Sequence, residues 1–223
     1  MMFTSRLVAV GIVAVLAAAS PAFAGPPLLC HPFEIGSAKS LPWDGSNAWW
    51  QGRQGYNLQH LVADTEGLLT PGTPLIVRME TLRRAALYAS LDPAAAARLL
   101  SAITARAHAA ERQGAAPAAT VTALFDAGYL TETYKQIAML EGESQFRERA
   151  HVIAAVLGKA DGRPLLNRAL TLRPDDASLQ FAAALVASME KSDGRAAYRA
   201  HADKARKGAA QDALLARNID KLS

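Results

Sequence analysis

Apolar residues recur about every three to four positions along most of the chain after residue 57, the spacing that places side chains on one face of an α-helix. At Thr73-Pro74 and Asp92-Pro93, a side chain able to cap a helix precedes a proline suited to the first helical position. Gly114 and Gly142 follow periodic stretches and indicate helix ends. No stretch alternates convincingly with a period of two residues, so we expect no β-strands. The predicted helices cover residues 74–90, 93–114, 117–142, 144–157, 163–172, 176–190, 194–207 and 210–222.

The connections between these predicted helices are short, which favours an antiparallel arrangement of each helix with the next. A string of such hairpins buries its apolar faces by stacking each pair on its neighbour. Alanine clusters at 94–97 and 182–184 and the glycine at Gly128 indicate places where helix axes approach closely. The sequence therefore predicts an all-α fold of antiparallel helical hairpins, stacked as a short solenoid over residues 58–223.

Residues 25–57 have a different composition from the rest of the chain. They contain several prolines and glycines and all three tryptophans, without a sustained helical period. Their apolar content, which includes Leu28, Phe33 and Leu41, is too high for a disordered tail. We therefore expect an irregular segment at residues 25–57 that packs against the helical domain.

The first residues have the organisation of a secretory signal peptide. One basic residue, Arg6, precedes the uncharged apolar run 7–19, and Ser20-Pro21 breaks that run. Ala22-Phe23-Ala24 places small residues where a signal peptidase cleaves, so we expect removal of residues 1–24. The run is shorter than the about 20 apolar residues of a spanning helix, which disfavours the alternative of an uncleaved anchor. We predict a periplasmic or secreted bacterial protein with no transmembrane anchor after cleavage.

Two stretches of the chain resemble known groups of proteins. The first resembles one tetratricopeptide repeat over residues 146–176, and its matching positions are Phe146, Ala150, Ile153, Leu166, Ala169 and Pro174. It departs from that family at Arg149, where an apolar residue is usual, and at Gly162, where alanine packs. The resemblance implies a helical-hairpin shape and surfaces that bind other proteins.

The second stretch, PPLLCHPFEIGSAKSLPW, resembles the start of a group of uncharacterised exported bacterial proteins, which supports export and implies no activity.

The charge pattern limits the expected partners. The net charge of +4 is too small for the concentrated basic face of a nucleic-acid-binding protein. Basic residues are nevertheless enriched from Lys191 to the end, including Arg195 and Arg199. This segment is either a solvated helix face or a surface attracted to anionic lipid headgroups or cell-wall polymers. We predict a protein partner or cell-wall component, and no nucleic acid.

Cys30 and His31 are neighbouring residues of metal-ligand type. Adjacent residues of an extended segment point to opposite sides, and the chain has no second cysteine and no spaced histidine pair. We therefore predict neither a metal site nor a cofactor. A single cysteine also excludes an internal disulfide, and whether Cys30 is buried or reactive stays open.

Large aromatic residues cluster beside polar ones in the N-terminal segment. Aromatic faces next to amides and carboxylates are typical of sugar-binding sites, but tryptophan also covers the exposed end of a helical array. We favour the covering role, because burial supplies most of the energy of large aromatic side chains. The candidate binding residues are Trp43, Trp49, Trp50 and Tyr56.

Glu143-Ser144 resembles the glutamate-serine pair of lytic transglycosylases, in which the glutamate is a general acid, although the rest of that family's pattern is missing. The alternative is that Glu143 lies in the first turn of a helix beginning at Ser144, where a carboxylate suits the helix dipole. No nucleophile-elbow, zinc-protease or phosphate-loop motif occurs.

The sequence predicts an exported envelope protein that acts as a protein–protein or cell-wall interaction scaffold without catalysis. The alternative is a glycan-binding or glycan-cleaving enzyme that uses the Trp43–Tyr56 segment.

Overall fold

The computed structural model describes residues 27–30, 32–44, 48–190 and 194–222. These residues form helices, turns and irregular segments, and no strand occurs among them. The all-α prediction is therefore confirmed for this part of the chain. The expected signal peptide, residues 1–24 with cleavage after Ala24, lies outside the described residues, and so does His31. None of the helices described here is long and apolar enough to cross a membrane.

Most of the helices lie close to their predicted positions. The α-helices of the described residues are α1 (Leu61–Leu68), α2 (Leu75–Ala89), α3 (Pro93–Arg112), α4 (Pro117–Ala138), α5 (Arg147–Leu157), α6 (Arg163–Leu172), α7 (Ala177–Ala187), α8 (Gly194–Gly208) and α9 (Ala213–Ala216). Short 3-10 helices occur at Leu58–His60, Ala209–Gln211 and Ile219–Lys221.

Two of the predicted helices are wrong in part. The helix predicted over 210–222 is replaced by 3-10 turns around the short α9, because the Asp212 side chain accepts backbone amides of α9 at 3.0 and 3.1 Å and fixes a new start. The helix predicted from Ser144 begins at Arg147 instead, after an irregular turn. α1 has no counterpart among the predicted helices, since its eight residues are too few to show a clear period.

Helix α4 lies at the centre of the packing, and most of its residues are buried. It packs against α2, α3, α5 and α6, while α7 packs mainly on α8. Gly128 of α4 meets Gly162 at the start of α6, where a Cβ on Gly128 would lie 2.8 Å from the Gly162 carbonyl oxygen. The prediction that Gly128 marks a close helix approach is confirmed, and the contact explains why glycine stands at 162 as well.

The two helices of the tetratricopeptide-like stretch, α5 and α6, each pack on α4 more extensively than on one another. Their buried residues are Ala150 and Ile153 in α5 and Leu166 and Ala169 in α6, which are positions that carry the resemblance. The stacking of successive hairpins into a solenoid stays a prediction.

The N-terminal segment lies against the helices, with Leu28, Leu29, Phe33 and Leu41 buried. Because its described residues form no helix before Leu58, their backbone amides and carbonyls need partners elsewhere in the protein. Helix α4 supplies one of these partners, since the Leu28 amide donates to the Gln136 side chain at 2.9 Å.

Charged side chains of α2 supply further partners. The Glu80 carboxylate accepts the Phe33 amide at 3.0 Å, and the Arg83 guanidinium donates to the Leu29 carbonyl at 3.3 Å. Glu80 is ion-paired with Arg83 at 2.8 Å and with Arg84 at 2.6 Å, and the side chains of Glu80 and Arg83 are wholly buried. This buried ionic cluster, Glu80, Arg83 and Arg84, attaches the irregular segment to the helices.

The two ends of the described chain meet at Asn218. The Glu34 amide donates to Asn218 Oδ1 at 2.8 Å, and Asn218 Nδ2 donates back to the Glu34 carbonyl at 2.9 Å. Asn218 Nδ2 also donates to the Leu214 carbonyl of α9 at 2.8 Å, which fixes the orientation of the amide.

A second buried ion pair joins α2 to α4. Arg78 Nη1 lies 2.6 Å from Asp126 Oδ2, and both side chains are almost fully buried. Arg78 Nε also donates to the Thr73 carbonyl at 3.0 Å, and Arg106 of α3 donates to the Leu69 carbonyl at 3.1 Å, so both hold the loop between α1 and α2. Burial raises the pKa of Asp126 to about 6, although the charge of Arg78 acts to lower it.

Candidate functional site

An open groove lies between α3 on one side and α5 and α6 on the other, with α4 beneath it. Its volume is about 560 Å³. Ligand sites in proteins commonly have volumes of about 300–1,000 Å³, so the groove is large enough to hold a ligand.

One wall of the groove is a single stripe of α3. Residues spaced three and four apart share one face of a helix, and this stripe follows that spacing. From Ala97 to His108 it extends over about 16 Å at the helical rise per residue. The stripe is formed by Ala97, Leu100, Ser101, Thr104 and His108.

The opposite wall is formed by the end of α5 and the start of α6. Thr131 of α4 lies at the base, and its hydroxyl donates to the Ala127 carbonyl of the same helix at 2.8 Å. The hydroxyl donor at the base of the groove is therefore already used in a hydrogen bond within α4. The residues of this wall are Val156, Ala160, Asp161, Pro164 and Leu165.

Charged side chains at the margin of the groove are paired with one another. Arg168 of α6 reaches across to Glu111 of α3, where its Nη1 donates to Glu111 Oε2 at 3.1 Å. Asp161 is ion-paired with Arg163 at 2.7 Å and with Lys135 at 3.2 Å. The hydrogen bond from Arg163 holds the pKa of Asp161 well below its usual range, so this carboxylate stays ionised. Because the protein neutralises these charges itself, the groove suits an apolar ligand better than an ionic one.

The three tryptophans lie outside this groove and are half-buried. Trp49 stacks on Phe146 with ring centroids 5.2 Å apart, and Trp50 meets Trp49 edge to face at 5.5 Å. The guanidinium of Arg83 lies 5.1 Å from the Trp43 ring centroid, within cation–π distance. Protein groups therefore occupy ring surfaces that a sugar would need, which favours the covering role over sugar binding.

Tyr56 has a similar environment. Its ring centroid lies 4.3 Å from that of Tyr88, and its hydroxyl donates to Asp64 Oδ2 at 2.6 Å. Burial, followed by the hydrogen bond to the Asp64 carboxylate, raises the pKa of Tyr56 above its usual range. This tyrosine therefore keeps its proton and joins the N-terminal segment to α1.

Glu143 is exposed in the turn between α4 and α5, outside any helix, and lies near Cys30. Burial raises the pKa of the half-buried Cys30 thiol to about 11, with Arg83 lowering it and Glu143 raising it. A thiol with this pKa stays protonated near neutral pH and is a poor nucleophile or metal ligand. Among the described residues, no three His, Cys, Asp or Glu side chains come together to hold a metal ion.

Arg195 and Arg199 lie one turn apart on α8, and both are exposed. The buried residues of this helix include Ala202 and Ala205. The two arginines thus project from the protein, on a different helix from those that line the groove.

The residues of this groove were not among the sequence predictions. Its α3 wall consists mainly of small and hydroxyl-bearing residues, which follow a helical period beside the apolar face of Leu99, Ile103 and Ala107. A second stripe of this kind is a weak signal, because exposed helix faces also contain such residues.

A comparison with models of protein families, with curated proteins and with solved structures finds no match to this chain. Its function must therefore be inferred from its own surfaces.

Proposed function

We propose that this protein is a non-catalytic interaction protein of the bacterial envelope, and that the groove between α3 and α6 binds an apolar segment of a protein partner. The open apolar groove is the observation that supports this function. The expected signal peptide supports the envelope location, and the tetratricopeptide-like stretch agrees with protein binding.

The shape of the groove favours a helical segment as the bound element. Amphipathic helices bind in grooves through apolar anchors spaced three and four residues apart. The α3 stripe presents complementary positions at that spacing, from Ala97 to His108, over about three helical turns. Leu100, Val156 and Leu165 supply apolar contacts, and the Ser101 and Thr104 hydroxyls supply polar contacts along the α3 wall.

Selection of a partner peptide tests this function. A displayed library of peptides of about 12 residues, long enough to follow the groove, is selected on the protein, and the affinity of selected peptides is measured by fluorescence anisotropy. We expect selected sequences to carry apolar residues at helical spacing. Selection of no such peptide would contradict the proposed ligand class.

Matched variants show whether these peptides occupy the groove. Ala97→Glu with Ala160→Glu places two carboxylates on its rim, whereas Ala105→Glu with Ala154→Glu places them on exposed positions of α3 and α5 outside it. We expect the rim pair to weaken binding at least about tenfold and the control pair to change it less than about twofold. Equal effects of the two pairs would place the peptide elsewhere.

A further inference from the structure

The net charge of the chain comes from its C-terminal end. Residues 194–223 contain seven Lys and Arg and three Asp, a net charge of +4, which equals the net charge of all 223 residues. Residues 1–193 are therefore neutral overall. Such an uneven distribution produces a field of one sign on one part of the surface, which attracts anionic partners.

Helix α8 places much of this charge on its exposed side, where the basic residues are spread over about half of the helix circumference. Its buried side, which includes Ala202 and Ala205, belongs to the pairing with α7. Arg195, Arg199, Lys204 and Lys207 are exposed, and we refer to these four residues as the basic face.

The basic face has little internal neutralisation. Arg206, also on α8, is paired with Asp203 at 3.8 Å. Within the described residues, no carboxylate lies within ion-pairing distance of any of the four side chains of the basic face. Their charges are therefore directed towards solvent and available to a partner. By contrast, the charges beside the groove are paired within the protein.

The shape of the basic face favours an extended anionic surface over a small anion. A small anion is held by donors that converge on one point, whereas these side chains are distributed along about 18 Å of a straight helix. The exposed residues between them include Ala196 and Ala200, whose short side chains leave room for the longer basic ones, and Asp203, whose charge is paired with Arg206.

We propose that the basic face docks the protein on a bilayer that contains anionic phospholipids. The face carries no large apolar side chain for insertion between lipids, so the attachment is electrostatic and reversible by salt. Each Lys or Arg held near an anionic bilayer increases partitioning about fivefold, so the side chains of the basic face that reach the bilayer together give measurable binding.

Vesicle sedimentation of the purified soluble protein tests this docking. Vesicles of phosphatidylcholine with about 30 % phosphatidylglycerol are compared with vesicles of phosphatidylcholine alone, at about 0.1 M and about 0.5 M NaCl. We expect binding to the anionic vesicles at the lower salt concentration, and little binding in the other conditions. Equal binding to neutral vesicles, or binding that is insensitive to salt, would overturn the proposal.

Two charge-matched variants locate the binding surface. The first variant removes the basic face and carries Arg195→Gln, Arg199→Gln, Lys204→Gln and Lys207→Gln. The control removes four exposed cations elsewhere, two on α3, one on α5 and one just after α5; it carries Arg98→Gln, Arg112→Gln, Arg147→Gln and Lys159→Gln. We expect the first variant to lose at least about tenfold in partitioning and the control to lose less than about threefold. Equal losses would assign the binding to net charge and overturn the role of α8.

A soluble polyanion distinguishes the other class of partner. Polyglutamate is titrated against vesicle binding at matched concentrations of negative charge. We expect the vesicles to retain the protein, because a bilayer engages several of these side chains at once. If the protein bound polyglutamate more tightly than the vesicles, and the α8 variant lost this binding, the proposal that a bilayer is the partner would be overturned. Circular dichroism of both variants checks that the fold is retained.

Discussion

At the scale of single residues, the most unusual feature is the burial of charged side chains of α2, which form hydrogen bonds with backbone groups of the irregular N-terminal segment. Glu80 accepts an amide of the N-terminal segment, and Arg83 donates to its carbonyls. Burial acts to raise the pKa of Glu80, but the hydrogen bond and charge of Arg83 and the charge of Arg84 outweigh it, so this pKa lies below its usual value. The cluster is therefore ionised, and its members depend on one another.

Replacement of Glu80 measures this dependence. Glu80→Ala leaves Arg83 buried without its carboxylate, and we expect a loss of about 3–5 kcal/mol in the free energy of unfolding, measured by urea denaturation. Glu80→Gln, which keeps the volume and one acceptor, provides an intermediate case if Glu80→Ala does not fold. The control is Asp44→Ala, which removes a largely exposed pair with Arg53 at 3.5 Å and is expected to cost less than about 1 kcal/mol. Similar losses for Glu80→Ala and the control would contradict the role of the cluster.

Asp126 makes stability depend on pH in the opposite direction from Glu80. Because its pKa is raised to about 6, the folded state binds a proton more tightly than the unfolded chain does. Its contribution is therefore fully present below the unfolded pKa of about 4 and is lost as the pH rises through about 6. We expect the stability of the wild type relative to Asp126→Asn to be greater at about pH 4 than at about pH 7 in urea denaturation. A constant difference would show that Asp126 does not titrate in this range.

At the scale of the helices, the crossing of α4 and α6 determines the shape of the groove. Without side chains at Gly128 and Gly162, α6 approaches α4 so closely that a Cβ on either glycine would collide with the carbonyl oxygen of the other. This crossing fixes the start of α6, including Pro164 and Leu165, in the wall opposite α3.

Enlarging Gly128 tests the crossing. Alanine is favoured over glycine in a helix, yet a Cβ at this position meets the Gly162 carbonyl, and we expect Gly128→Ala to cost about 1–3 kcal/mol in thermal or urea unfolding. Gly67→Ala in α1 is the matched control, since a Cβ there meets no atom within 4 Å. We expect it to be neutral or to stabilise by up to about 1 kcal/mol. If Gly128→Ala is stabilising too, the crossing is not tight.

At the scale of the whole molecule, the positions of the helices could be predicted from the sequence, while much of their arrangement could not. Caps and prolines are local signals, and Asp92 does accept the Ala95 amide at 2.6 Å at the start of α3. The central place of α4 depends on contacts between residues far apart in the chain, such as Gly128 and Gly162. A single sequence carries no direct signal for such pairs.

The groove was harder to predict for the same reason. Its residues come from four helices, and its wall on α3 has the composition of an ordinary exposed face. The burial of Glu80 and Arg83 was likewise absent from the predictions, because charged residues usually mark the solvated side of a helix. The basic residues Arg195 and Arg199 were easier to predict, because a cluster of like charges is visible in the sequence itself.

The pairing of Glu34 with Asn218 has a consequence for the order of events during synthesis. A ribosome adds residue 34 long before residue 218, so the partner of the first segment does not exist until translation has passed residue 218. Contacts across such a separation in the chain form slowly, because a long loop must close first. A nascent chain that stops before residue 218 thus lacks this connection, and the N-terminal segment completes its docking only after that residue has been added.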